Sequence, residues 1–320
     1  AELRGIVFLQ EQLKTLPAFA LTQNKMVLDV LIPPRRALRQ PWLIAVASAV
    51  FVTGGVALQL LIPSLHASAV IFAMVPAIPL IWTLLMHEER LEENACYRFA
   101  SPLAGERKFF EYHSRLILVF AWFFFGAIVA YCAWYAVLPA PAVQSVFGDQ
   151  LNEVKAIEGF AANAANAAGN AANAAANAGA SAAGVTGRVF SEGKFLTLLT
   201  HNLQVLGLMF LFCLVYGVGS VYLLLWNASI IGVVIGARVK AEGVLGFATG
   251  FLGLFPHGIF EVAAYFVASI AGGILSMAVT RFARSKCPRR EAPALALDVV
   301  ILAVVSVALI AIGAAIESSY

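Results

Sequence analysis

The chain has 320 residues, of which 61% are hydrophobic and 12% charged, with a formal net charge of +3. Charged residues make up about a quarter of an ordinary soluble domain, so the composition excludes one, and several uncharged runs exceed the roughly 18–20 residues that cross a bilayer. The small net charge, with basic residues gathered between apolar runs, argues against nucleic acid as a partner.

The first segment, 1–41, alternates apolar clusters with Gln, Glu and Lys. Ile6, Leu9, Leu13 and Leu16 fall at helical spacing, which predicts an amphipathic helix lying on the bilayer or docked on the protein. It does not read as a signal peptide, because Arg4, Glu11 and Lys14 interrupt its apolar patches. Pro33 and Pro34 end it.

Residues 42–138 hold the first three predicted spans: Trp42–Ile62, Ala67–Met86 and Leu116–Leu138. Pro76 and Pro79 fall inside the second. Between the second and third lies a segment of mixed charge, 87–115, read as a solvated helix leaving the membrane. The aromatics of the third span, Phe120 to Tyr135, read as packing against lipid and neighbouring helices.

Residues 139–202 are expected to form a long loop. Within it, 161–184 is nearly pure Ala, Asn and Gly, with Asn163, Asn166, Asn170, Asn173 and Asn177 spaced 3-4-3-4. That spacing is one stripe of a helix, and alanine is the best helix former. A low-complexity linker is the other reading.

The core is expected in 203–320. No charge falls between Leu203 and Ala237, a run of about 52 Å if helical against a hydrocarbon core of about 30 Å. The run from Gly243 to Thr280 is also too long for one straight span. These runs predict broken or re-entrant helices near Asn227 and Pro256. Gly232 and Gly236 form a GxxxG pair that permits close helix contact. The last span is Leu295–Ile316. The class is therefore all-α: a polytopic transmembrane bundle of about six to seven spans.

Orientation is read from Lys and Arg. The segment before Trp42 has six, 87–115 has five, 281–291 has five, and the 64 residues of 139–202 have three. The N-terminus and the two basic segments are then cytoplasmic, and 139–202 and the C-terminus extracytoplasmic. Passing from an outer loop at 202 to an inner one at 281 takes an odd number of crossings.

The candidate functional residues sit in Phe255-Pro256-His257-Gly258-Ile259-Phe260-Glu261. His257 and Glu261 are the only His, Asp, Glu, Lys or Arg of the 243–280 run. A carboxylate at bilayer depth faces protein or water and marks a functional site by default. Four residues apart, the two share a helical face. Pro256 and Gly258 are read as the structural helix break. His201, Asn202, Gln204, Asn227 and Glu317 are candidate partners; of these His201, Asn202 and Asn227 complete the intramembrane polar cluster. Two readings stand for Glu261: it fixes how helices meet, or it handles a proton, cation or solute. The sequence contains no enzyme signature, catalytic set, metal-ligand set or cofactor motif.

Residues 195–316 resemble the stage II sporulation protein M family, and the earlier spans, with Pro76 to Glu93 running into an acidic exit, resemble its archaeal-type branch. The resemblance rests on His201-Asn202-Leu203 opening a span, Gly217-Val218-Gly219, Leu225-Trp226-Asn227-Ala228-Ser229 with Gly232, Pro256 to Glu261, and Gly272-Gly273. It implies a membrane component or scaffold of an envelope-remodelling complex, which in spore-forming bacteria drives engulfment beside cell-wall-degrading partners. The expectation is a non-enzymatic multi-pass protein of the cell membrane, embedded in the lipid bilayer, homo-oligomeric, with envelope-complex protein partners. The alternative is a transporter or channel whose path passes His257 and Glu261.

Overall fold

A computed structural model describes residues 33–62, 68–96, 102–156, 192–283 and 292–319. The N-terminal amphipathic stretch before Pro33 and the Ala/Asn tract lie outside the described residues. The described chain is helical throughout. It opens with α1 (Pro34–Arg39), α2 (Trp42–Leu61), α3 (Ala69–Cys96) and α4 (Pro102–Val137). The helix α5 covers 140–156. Then come α6 (Glu192–Tyr216), α7 (Ser220–Glu242), α8 (Val244–Ala283) and α9 (Ala292–Ser318).

Among the described residues, six stretches are long and apolar enough to cross a membrane: Trp42–Leu61, Ile117–Val137, Gly193–Tyr216, Ser220–Glu242, Val244–Ser276 and Ala296–Ser318. Helix α3 adds a shorter apolar stretch, Ala69–Leu84. This is the polytopic all-α bundle of six to seven spans that hydropathy predicts.

Close backbone contacts set the helix directions. Gly126 of α4 lies on the backbone of Ala45 in α2, and Trp134 Nε1 donates to Thr53 Oγ1 at 3.3 Å, so α2 and α4 run parallel. Helix α3 runs back along α2, with Gln59 Oε1 accepting the Ala69 N–H at 2.7 Å. Gly232 and Gly236 of α7 face Tyr131 and Tyr135 of α4, again in parallel order. A Cβ on Gly232 would lie 2.6 Å from Tyr131 Cβ, and one on Gly236 2.8 Å from Tyr135 Cβ. The GxxxG pair is thus consumed inside the chain. Helices α4 and α8 meet through Phe266, whose ring centroid lies 6.1 Å from that of Phe120 and 5.7 Å from that of Phe124.

Three sequence expectations are corrected. The first long apolar run does not break at Asn227: α7 runs unbroken through it, and the break falls at Gly217–Gly219. Gly217 has φ +71, a conformation open to glycine, and its N–H donates to Cys213 O at 2.7 Å to close α6. Asn227 Nδ2 donates to Leu223 O at 2.8 Å and Ser229 Oγ to Trp226 O at 2.7 Å. Both polar side chains are satisfied by their own helix, so they force no break.

The helix also continues through Pro256 and Gly258, so these residues are not a break. Helix α8 has 40 residues with Pro256 inside, about 60 Å of helix. A proline removes only its own N–H from the ladder, and membrane helices tolerate one where neighbours support them; α6, α7 and α9 all pack on α8.

Finally, 139–202 is not all loop. Helix α5 buries Val143, Val146, Phe147 and Gln150 on one face, with the Phe147 ring 5.7 Å from that of Tyr135. Helix α6 starts at Glu192, eleven residues before the uncharged run. Three helices, α6, α7 and α8, therefore lie between 192 and 283, the odd number that the basic-residue count requires.

Candidate functional site

Glu261 is held where α6, α8 and α9 meet. Asn202 stands near the middle of α6 and is buried, as is Tyr265 one turn beyond Glu261 on α8. Asn202 Nδ2 donates to Glu261 Oε1 at 2.6 Å, and Tyr265 Oη donates to Asn202 Oδ1 at 3.1 Å. The amide of Asn202 is thus clamped between two groups four residues apart on one face of α8. A carboxylate and a phenol at i and i+4 suit this, because a side-chain amide offers a donor and an acceptor from one planar group.

The third wall is glycine. A Cβ on Gly313 of α9 would stand 3.1 Å from Glu261 Cγ and 3.3 Å from His257 O. Farther along, Lys194 Nζ donates to Glu317 O at 2.7 Å, joining the start of α6 to the end of α9. Asn202 lies eight residues in from Lys194, about 12 Å along the helix axis. The cluster is therefore inside the bundle, nearer the end where α6 begins.

The structure joins Asn202 to Glu261 and brings Glu317, one turn beyond Gly313 on α9, within electrostatic reach of Glu261; the other candidates make no hydrogen bond to the cluster. His257 lies one turn before Glu261, part-buried beside α9, and makes no hydrogen bond among the described residues. His201 and Gln204 are exposed on the outer face of α6, and Asn227 is bonded to its own helix. Tyr265 is the member that sequence reasoning missed. Its spacing from Glu261 is the same four residues that link His257 to Glu261 on the other side, so the signal was present, but a tyrosine among apolar residues reads as packing. As chemistry, the cluster supplies hydrogen bonds that fix the register of α6 on α8.

Residues 115–319 match the stage II sporulation protein M family. The chain belongs to that family. The match runs from the apolar part of α4 to the end of α9, so the family core contains Asn202, Glu261 and Tyr265, while α2 and α3 precede it. An uncharacterized protein of Methanocaldococcus jannaschii is 31% identical over 124 residues, which cover 39% of this chain and 68% of that protein. No solved structure matches the chain.

Proposed function

We propose that this multi-pass membrane protein is a non-enzymatic scaffold, a component of an envelope or membrane-remodelling complex. The observation that carries this reading is the Asn202–Glu261 bond. The carboxylate at bilayer depth, the default mark of a transport path, is engaged in an interhelical tie, with Tyr265 completing the clamp. An interhelical tie that engages both ends of one amide favours one helix arrangement, which suits a part that must present fixed surfaces. The family description, a sporulation-stage protein, agrees with a role in envelope remodelling.

The basic segments also suggest an orientation. The helix ends that lead toward 87–115 and 281–291 lie at the same end of the bundle as the start of α2, which follows from the parallel and antiparallel contacts. By the positive-inside rule that end faces the cytoplasm.

The test is reconstitution of the wild type and Glu261→Gln in liposomes, with proton and cation flux measured beside thermal stability. The expected result is no flux above protein-free vesicles for either. Flux in the wild type that Glu261→Gln abolishes, with folding retained, would overturn the scaffold reading in favour of a path past His257 and Glu261.

A further inference from the structure

The outer faces of the spanning helices differ in character. Helix α9 shows Val300, Ile301, Val304, Val305 and Ile312 to the outside, all aliphatic, as a lipid-facing surface should be. Helix α6 is the least covered span: 22% of its apolar window is buried, against 56% for α4, α7 and α8. Yet its outer face is not aliphatic throughout. Thr200, His201, Gln204 and Gly207 are exposed, followed by Leu208 and Leu211. Gln204 lies three or four residues from Thr200, His201, Gly207 and Leu208, and Leu211 follows these by the same step, so the positions form a single stripe along the helix.

Gln204 decides how the stripe is read. It stands midway along Gly193–Tyr216, about 17 Å from either end, in the middle of a stretch long enough to span the hydrocarbon. Its amide has no hydrogen-bond partner among the described residues, and neither has the His201 imidazole one turn earlier. Hydrocarbon offers neither donor nor acceptor, and an unsatisfied amide there costs several kcal/mol on cyclohexane-like scales, of the order of ~4. A polar side chain next to a small one is the composition of helix interfaces in membranes. Gly207, with nothing within 4 Å of its would-be Cβ, leaves room for a second backbone to approach.

We infer that this face of α6 is a self-association surface whose partner is a second copy of the same chain. Copies inserted with one orientation are related by a two-fold axis along the membrane normal, which sets α6 beside α6 in parallel at equal depth. Gln204 then meets Gln204 of the second copy. Each amide is both donor and acceptor, so the pair is self-complementary, and the imidazoles at His201 repeat this one turn away. The GxxxG pair cannot serve this purpose, since α4 occupies it. The inference deepens the scaffold reading, on which its biological use rests, but its test is independent of flux.

The experiment measures association of full-length protein in liposomes by energy transfer between labelled copies across a range of protein-to-lipid ratios. Wild type is expected to dimerise. Gln204→Leu should raise the dissociation constant about three- to thirtyfold, the range that interhelical side-chain bonds give in membranes. Gln204→Leu combined with Gly207→Leu should abolish the dimer, and Val304→Leu on the α9 face should change nothing. Circular dichroism and thermal unfolding report folding of each variant. A wild type that stays monomeric at every ratio would overturn the inference. So would unchanged association with a raised melting temperature in Gln204→Leu, the signature of a residue that faces lipid.

Discussion

Asn202 makes a sharp prediction because it serves two groups at once. Replacing it with Leu strands the Glu261 carboxyl and the Tyr265 hydroxyl together, and an unsatisfied buried polar group costs about 1–3 kcal/mol. Tyr265→Phe removes one neutral bond and leaves the amide oxygen short of a donor, so it should cost less, about 0.5–1.5 kcal/mol. The informative variant is the double change, Asn202→Leu with Glu261→Leu. The double change leaves only the Tyr265 hydroxyl stranded instead of two groups, so the double variant should be more stable than Asn202→Leu alone. Unfolding of the purified protein in micelles measures all of them. Equal stability of wild type and Asn202→Leu would show that the tie contributes nothing.

At the scale of elements, the seams are made of glycine and the ends of glycine turns. Gly232 lets α7 lie on α4, and Gly232→Val should destabilise by about 1–3 kcal/mol through overpacking against Tyr131, read as a lowered melting temperature. Pro256 gives the opposite sign. The helix is continuous through it, so Pro256→Ala restores a donor to the ladder and should leave fold and stability intact or raised; a large loss would mean that the proline shapes α8 in a way its continuity hides. These two sites also show what was legible beforehand. The number and class of spans followed from uncharged length alone, because the bilayer sets a fixed requirement. The break at Gly217–Gly219 did not, because two glycines among apolar residues serve equally for a turn or for close packing, and only the positive φ of Gly217 decides between them. Asn227 misled for a related reason: a polar side chain inside a span signals an interruption only if its own helix cannot satisfy it. Within the site, Glu261 and Asn202 were legible as polar residues in apolar runs, while their pairing required the parallel packing of α6 on α8, which no local pattern encodes.

At the scale of the molecule, the helix directions sort the chain into two ends. The start of α2, the end of α3 and the start of α4 share one end with the α6–α7 turn, the end of α8 and the start of α9. The end of α2, helix α5, the start of α6, the α7–α8 turn at Gly243 and the end of α9 share the other. Lys194 bonded to Glu317 O and Lys240 Nζ bonded to Leu138 O at 2.6 Å both belong to the second end. Orientation is then one binary choice for the whole bundle. Positively charged segments are retained on the cytoplasmic side during insertion, and the described helix ends that lead to all three basic segments lie at the first end. Single cysteines at Gln40 and Ser319, in a background whose four native cysteines (Cys96, Cys132, Cys213 and Cys287) are replaced by serine or alanine, test this with a membrane-impermeant maleimide on intact cells. Ser319→Cys should label at once and Gln40→Cys only after permeabilisation. The reverse pattern would invert the bundle, and labelling of both from outside would mean an even number of crossings, which would remove α3 from the spanning set.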